Sequence, residues 1–181
     1  MRIFGFLTSA AVAAGTPGTS VTSPTSLGIL AGSPDIIKGG NGSFLMKNRG
    51  TGTCITSSGG GNGQEVLLYG CNTSAANQQW LYLSNGDLYN EGDGLCIAGP
   101  LSNIGNYTTL YMGTCGNDIN EYWDSYNFSG GYTGFVYNLE YALTGQEFLF
   151  SSVGQTGNNQ PLYLYDYTGD SNQQWSTPAG T

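Results

Sequence analysis

The sequence contains a four-residue phrase that occurs three times, each time ending in tryptophan. The three versions are Asn77-Gln78-Gln79-Trp80, Asn120-Glu121-Tyr122-Trp123 and Asn172-Gln173-Gln174-Trp175. Self-similarity at a nearly regular spacing indicates one supersecondary unit that is used several times around a shared core. We therefore expect three equivalent repeats, at about residues 43–85, 86–128 and 133–177, with the three tryptophans in a common core.

The repeats also share features upstream of each tryptophan. The first runs from Gly52-Thr53-Cys54-Ile55 to Val66-Leu67-Leu68-Tyr69-Gly70-Cys71, and the second from Gly94-Leu95-Cys96-Ile97 to Leu110-Tyr111-Met112-Gly113-Thr114-Cys115. The third lacks cysteine, and we align it as Tyr141-Ala142-Leu143 followed by Leu162-Tyr163-Leu164-Tyr165. This alignment defines the positions that we expect to be equivalent in the three repeats.

The composition favours many short β-strands. The 181-residue chain has 30 glycines and 13 tyrosines, and its short β-branched and aromatic runs are separated by Gly- and Asn-rich clusters. We find no amphipathic helix with an apolar period of about 3.6 residues. Since a chain of this length is typical of one domain, we predict a single all-β domain at residues 36–181.

The three phrases give the chain a resemblance to a known family. Two copies read Gln-x-Trp and one reads Glu121-Tyr122-Trp123, and the match extends from about Ser43 to Ser176. In these features the chain resembles the ricin B-type lectins. The resemblance implies a β-trefoil of three pseudo-equivalent repeats and a noncatalytic, carbohydrate-binding function, with glycans or glycoproteins as partners.

The resemblance also implies where sugars would bind. Pockets of this family use an aspartate two positions after the first cysteine, an aromatic ring that stacks on the sugar, and amides of the tryptophan phrase. The aspartate positions hold Thr56, Ala98 and Thr144 in this chain. The expected sugar-binding residues are Tyr69, Asn77 and Gln78 in the first repeat and Tyr165, Asn172 and Gln173 in the third.

The second repeat offers a less complete set, namely Tyr111, Asn120 and Glu121. An ionised hydrogen-bond acceptor is worth about 1.5–3 kcal/mol, so its loss predicts weak binding or binding that needs several pockets at once. In family members that bind no sugar, the Gln and Trp of the phrase serve the framework alone. We expect that framework role for Trp80, Trp123 and Trp175.

The four cysteines predict an oxidising compartment. Cys54 and Cys71 occupy the same places in the first repeat as Cys96 and Cys115 do in the second. Four cysteines allow three disulfide pairings, and the repeat symmetry favours Cys54–Cys71 with Cys96–Cys115. A zinc site is not expected, because the chain has no Cys-x-x-Cys motif and no histidine. We predict no metal and no cofactor.

The N-terminal region has the composition of an exported protein. Residues 1–14 combine Arg2 with a twelve-residue apolar stretch and small residues, as in a signal peptide, although a buried strand or a retained apolar arm is an alternative. Residues 15–35 are a Ser/Thr/Pro/Gly-rich linker. We therefore expect a secreted, extracellular protein. N-glycosylation sequons begin at Asn41, Asn72, Asn106 and Asn127.

Charge and residue types exclude several functions. All four basic residues lie in the first 49 positions, so the clustered cations that nucleic acids require are missing. Without histidine, the commonest general base is also missing. Acidic residues do cluster in two places, but such loop clusters are typical of solvated surface. They are Asp87, Glu91 and Asp93, and Asp118, Glu121 and Asp124. We expect no enzyme and no membrane span.

A second function remains open at this point. The chain could be a structural, self-assembling extracellular glycoprotein that has the trefoil but no sugar-binding activity. In that case the apolar N-terminal arm or exposed strand edges would form subunit contacts and produce a homo-oligomer or polymer. Tyr-rich surfaces with few charges suit either function, because tyrosine is favoured in sugar sites and in protein interfaces.

Overall fold

The structure is a computed structural model that describes residues 42–116 and 119–177. The predicted leader at residues 1–14 and the linker at 15–35 lie outside the described residues, as do Asn41 and Asp118. These predictions therefore stay predictions. Among the residues described, no helix is long and apolar enough to cross a membrane.

The described part of the chain consists of short strands, as the composition predicts. The first seven strands are β1 (Lys47–Asn48), β2 (Thr53–Ser57), β3 (Val66–Gly70), β4 (Trp80–Tyr82), β5 (Leu88–Asn90), β6 (Cys96–Ala98) and β7 (Thr108–Thr109). The next seven are β8 (Tyr111–Gly113), β9 (Trp123–Phe128), β10 (Tyr132–Tyr137), β11 (Phe148–Ser151), β12 (Gln160–Pro161), β13 (Tyr163–Asp166) and β14 (Trp175–Ser176). All their pairings are antiparallel.

Two sheets contain these strands. One has ten strands in the order β12-β3-β2-β1-β14-β10-β11-β13-β7, with β9 paired to β10, and the other has the order β4-β5-β6-β8. A 3-10 helix precedes the tryptophan of each phrase, and the three helices are Ala76–Gln78, Ile119–Glu121 and Ser171–Gln173. Each phrase therefore has the same local structure.

The three tryptophans occupy equivalent places in the core. Each indole is fully buried, and its Nε1 donates to a backbone carbonyl on a strand of the same repeat. Trp80 donates to Ile55 at 3.0 Å, Trp123 to Ile97 at 2.9 Å, and Trp175 to Phe150 at 3.2 Å. This equivalence confirms the predicted trefoil of three repeats around one apolar core. Other buried core residues include Phe44, Met46, Leu68, Leu88, Leu110, Phe135 and Leu164.

The two predicted disulfides are present. Cys54 and Cys71 are joined, as are Cys96 and Cys115, with Cα atoms 5.0 and 5.1 Å apart. Each bond links a strand, β2 or β6, to the residues that follow the strand paired with it, β3 or β8. The disulfides thereby hold the loops next to the tryptophan phrase in the first two repeats.

The predicted frame of the third repeat is wrong at its start. Tyr141-Ala142-Leu143 lies in a helix, α1 (Asn138–Thr144), which ends at Gly145 with a positive φ of 76°. The strand that matches β2 and β6 is β11, because its Phe150 receives the indole bond of Trp175. Ser151, and not Thr144, therefore occupies the position of Thr56 and Ala98. A helix of seven residues is too short for its apolar period to be recognised in the sequence.

Candidate functional site

A cavity of about 350 Å³ lies in the first repeat, at the position that the resemblance implies. Its volume is within the range of small-molecule sites, roughly 300–1,000 Å³. The cavity is lined by the predicted residues Tyr69, Asn77 and Gln78. It is also lined by Thr56, which occupies the position of the family's aspartate. The other lining residues are Ser57, Ser58, Gly70, Asn72 and Ala75.

Strand pairing and the first disulfide position the cavity walls. Tyr69 of β3 pairs with Cys54 of β2, so that the ring stands beside the Cys54–Cys71 bond. Its hydroxyl donates to Asn159 Oδ1 at 2.9 Å, while Gly70 N donates to Asn158 Oδ1 at 2.7 Å. The loop before β12, which belongs to the third repeat, therefore holds the Tyr69 ring in place.

Gln78 closes the inner wall of the cavity and is almost fully buried. Its Oε1 accepts from Asn72 N at 2.7 Å, and its Nε2 donates to Thr56 Oγ1 at 3.0 Å and to Gly70 O at 3.1 Å. These bonds tie the tryptophan phrase to both neighbouring strands. Because its polar atoms are already occupied, Gln78 shapes the cavity and positions Thr56.

Asn77 is half-buried and leaves more of its amide for a ligand. Its Nδ2 donates to Ser57 O at 2.9 Å, and none of the described residues donates to its Oδ1. The Ser57 hydroxyl donates to the carboxylate of Asp93, which comes from the loop between β5 and β6. A carboxylate is thus held one hydrogen bond away from the cavity wall. Sequence reasoning assigned Asp93 to solvated surface because only the fold brings it beside Ser57.

The second repeat has the same framework but lacks counterparts of Thr56 and Tyr69, which line the first-repeat cavity. Gly113 pairs with Cys96 as Tyr69 pairs with Cys54, so glycine holds the aromatic position. The predicted Tyr111 pairs with Ala98, and its hydroxyl donates to Gly99 O at 2.9 Å and accepts from Asn120 Nδ2 at 3.0 Å. Glu121 is buried, and its Oε2 accepts from Gly116 N at 3.0 Å.

The third repeat has an aromatic wall, but a neighbouring ring contacts it. Tyr165 pairs with Leu149 on β11, the position equivalent to Cys54. Its ring centroid lies 5.2 Å from that of Tyr107, with the planes nearly perpendicular. A hydrogen bond with Tyr107 is the main reason that the pKa of Tyr165 is raised above its usual value.

Gln173 and Asn172 of the third tryptophan phrase differ in their burial and in their hydrogen bonds. Gln173 is buried, accepting from Thr168 N and Gly169 N and donating to Tyr165 O and Asp166 O, so it repeats the framework role of Gln78. Asn172 is half-buried, and its backbone carbonyl accepts from Ser152 N and from Asn48 Nδ2. Gln173 therefore contacts the backbone of Tyr165, and sugar binding by Tyr165, Asn172 and Gln173 stays a prediction.

The acidic clusters do not form a metal site among the residues described. No group of three or more His, Cys, Asp or Glu side chains in residues 42–116 and 119–177 is placed to hold a metal ion. Asp87 is buried and accepts from Asn85 Nδ2, so it stabilises a turn. Three sequon asparagines, Asn72, Asn106 and Asn127, are exposed, and their glycosylation stays a prediction.

Comparison with known structures supports the same architecture. The designed threefold-symmetric protein ThreeFoil aligns with a TM-score of 0.63 at 20% identity, over 74% of this chain and 96% of that chain. The ricin B-like lectin of Macrolepiota procera, solved in complex with lactose, aligns with a TM-score of 0.60 at 19% identity, over 77% and 96%. At these identities the likeness shows the fold alone.

The module also resembles part of a longer enzyme. The exo-β-1,3-galactanase of Clostridium thermocellum aligns with a TM-score of 0.61 at 16% identity, over 74% of this chain but only 29% of that chain. Comparison with curated protein sequences gave no significant match. The model of the ricin-type beta-trefoil lectin domain matches residues 42–175, which is most of the sequence. The chain therefore belongs to the ricin-type beta-trefoil lectin domain family.

Proposed function

We propose that the protein is a secreted, noncatalytic carbohydrate-binding module that holds a sugar in the first-repeat cavity. The observation that carries this proposal is the convergence of Tyr69, Asn77 and Thr56 on a cavity of about 350 Å³. The Tyr69 ring would cover the C–H face of a pyranose, and the Asn77 amide would bond its hydroxyls. The Thr56 hydroxyl, which donates to Cys54 O and accepts from Gln78 Nε2, would accept from one sugar hydroxyl. Family membership supports the ligand class.

The cavity is suited to a neutral sugar of modest affinity. No charged side chain lines it, and the carboxylate of Asp93 is engaged with Ser57. Without a carboxylate in the aspartate position, charge-assisted bonds worth about 1.5–3 kcal/mol are absent from the wall. We expect dissociation constants near the millimolar range for a single sugar, about −4 kcal/mol.

Calorimetric or NMR titration with lactose, galactose and N-acetylgalactosamine tests the proposal. Tyr69→Ala should weaken binding up to about tenfold, because ring stacking contributes up to about 1.5 kcal/mol. Asn77→Ala should weaken binding as well, and both variants should keep the wild-type fold. Tyr89→Ala removes a half-buried tyrosine of β5 that does not line the cavity, so it is the matched control.

A protein that binds none of these sugars at millimolar concentration would remove this proposal. The alternative would then be a structural, self-assembling extracellular protein. Its oligomeric state is directly measurable by light scattering over a range of concentrations, and a strict monomer would eliminate that alternative.

A further inference from the structure

A turn of the second repeat packs against two residues that line the first-repeat cavity. It comprises residues 90–94, between β5 and β6, and we call it the second-repeat turn. Its shape is set by the buried side chain of Asn90, whose Oδ1 accepts from Gly92 N at 3.0 Å and from Asp93 N at 3.1 Å. Gly94 N donates to Asn90 O at 3.0 Å and closes the turn. An asparagine that bonds the backbone ahead of it in this way fixes the path of the turn.

The second-repeat turn lies directly against Asn77 of the first tryptophan phrase. Asn90 Nδ2 donates to Asn77 O at 3.0 Å, and Glu91 N donates to Gln79 O at 2.9 Å. A Cβ on Gly92 would lie 2.7 Å from Asn77 N and 2.9 Å from Asn77 Cα, so this close approach requires glycine. The neighbouring repeat therefore fixes the backbone of Asn77.

Asp93 of the same turn holds Ser57, the second of these cavity residues. Ser57 is fully buried, and its hydroxyl donates to Asp93 Oδ2 and accepts from Gly59 N at 3.3 Å. The Ser57 carbonyl in turn accepts from Asn77 Nδ2 at 2.9 Å. Because none of the described residues donates to Asn77 Oδ1, this bond directs a free acceptor to a ligand. Asp93 thus acts on the Asn77 amide through Ser57.

The first repeat has an equivalent turn, at residues 48–52, that packs against the third phrase. Its asparagine, Asn48, makes the same bonds, since Oδ1 accepts from Gly50 N and Thr51 N, both at 3.0 Å. Asn48 Nδ2 donates to Asn172 O at 2.8 Å, and a Cβ on Gly50 would lie 2.9 Å from Asn172 Oδ1. The asparagine and the glycine of the turn therefore belong to a framework that both contacts between repeats share.

The two turns differ at the position of the carboxylate. Thr51 occupies the place of Asp93, and its hydroxyl bonds to Asn48 Oδ1 at 3.2 Å, within its own turn. Ser152, the counterpart of Ser57, also donates to Asn48 Oδ1, at 3.2 Å. A turn of this kind thus folds with threonine at this position, so the framework does not require a carboxylate. The carboxylate of Asp93 is an addition, and it lies beside the repeat that has the cavity.

We propose that Asp93 is a positioning residue for the sugar site of the neighbouring first repeat. Its carboxylate fixes the Ser57 hydroxyl, the Ser57 carbonyl orients the Asn77 amide, and Asn77 Oδ1 accepts from a sugar hydroxyl. A hydrogen bond to a carboxylate is stronger than one between neutral groups, so it holds this wall more firmly than threonine would. The inference rests on the proposed function for its ligand. It makes the sugar site a joint product of two repeats.

Lactose titration of two variants at position 93 tests this role. Asp93→Thr introduces the residue that the first-repeat turn has at this position, so the fold should be kept while the bond from Ser57 to the carboxylate is lost. We expect its lactose affinity to fall about two- to tenfold, which is the range for one hydrogen bond. Asp93→Asn keeps an acceptor for the Ser57 hydroxyl and should bind lactose within about twofold of wild type.

NMR of the sugar-free protein separates positioning from stability. The side-chain amide signals of Asn77 should shift in Asp93→Thr and stay close to wild type in Asp93→Asn, because only the first variant loses the acceptor for Ser57. Asp170→Asn is the matched control, since it removes the same charge from an exposed residue of the third repeat that does not line the cavity. It should change neither the lactose affinity nor these signals.

Unchanged lactose affinity in Asp93→Thr would overturn the inference, and so would unchanged Asn77 signals in that variant. An equal loss of affinity in Asp170→Asn would also overturn it, because charge alone would then explain the effect. A wild-type protein that binds no lactose would remove the proposed function, and the role of Asp93 in binding with it. In that case shifted Asn77 signals in sugar-free Asp93→Thr would still show that Asp93 positions this amide, so the two failures are distinguishable.

Discussion

The first and second repeats share a framework but differ where the first repeat has its cavity. Both have a buried indole bonded to a strand carbonyl, a disulfide and a buried second residue of the phrase, Gln78 or Glu121. Yet Tyr69 in the first repeat corresponds to Gly113 in the second. The tryptophan phrase therefore specifies the fold, while residues on the neighbouring strands determine whether a cavity exists.

The largest effect should come from the framework that the two repeats share. Trp80→Ala and Trp123→Ala should each lower the free energy of unfolding by about 3–5 kcal/mol, because each leaves a large cavity and an unpaired carbonyl. Urea denaturation measures both values. Equal costs would support equivalent repeats, whereas a nearly neutral result for either indole would show that the repeats are not equivalent.

A smaller loss of stability is expected at Gly113, where the second repeat leaves little space for a side chain. A Cβ on Gly113 would lie 2.8 Å from Glu121 Oε1 and 3.0 Å from Ala98 Cβ, so Gly113→Ala should destabilise the protein by about 1–3 kcal/mol. Gly105→Ala is the matched control, because its Cβ would meet no atom within 4 Å. Thermal melting of both variants checks this. Equal melting temperatures would mean that the second repeat has room for a side chain.

The smallest effect concerns the contact between the two repeats. Burial raises the pKa of Tyr82, whose hydroxyl donates to Trp123 O at 2.6 Å, and the nearby Asp124 raises it further. Because the pKa of Tyr82 is higher in the folded state than in the unfolded chain, its contribution to the free energy of unfolding is constant below about pH 10. Above that pH the contribution falls by up to about 1.4 kcal/mol per pH unit. Tyr82→Phe should reduce this slope in urea denaturation measured from pH 8 to 11. An unchanged slope would contradict the assignment.

Sequence reasoning was sufficient where the repeats kept their markers. The cysteines and tryptophans predicted the trefoil frame, both disulfides and the walls of the first-repeat cavity. It was wrong for the start of the third repeat, where no cysteine marks the strand. The spacing to tryptophan was the missed signal, because Ile55, Ile97 and Phe150 precede their indoles by 25, 26 and 25 residues.

Other features depend on contacts that no local pattern reveals. Asp93 reaches Ser57 only because the second repeat folds beside the first. The alternation of Tyr163 and Tyr165 is visible in the sequence, but the contact of Tyr107 with both rings is not. Likewise, Gln78 and Gln173 were expected to contact sugar, and the structure shows their amides bonded within the framework. Their remaining contribution to binding is still a prediction.

The most direct test of sugar binding in the first-repeat cavity is a residue-resolved NMR titration with lactose. We expect the backbone amide signals of Gly70, Asn72 and Asn77, which line the first-repeat cavity, to shift in a saturable way. The equivalent region of the second repeat, around Gly113 and Asn120, should not respond. Saturable shifts centred on the second repeat, with none around Tyr69, would contradict the claim that the first-repeat cavity is the sugar site.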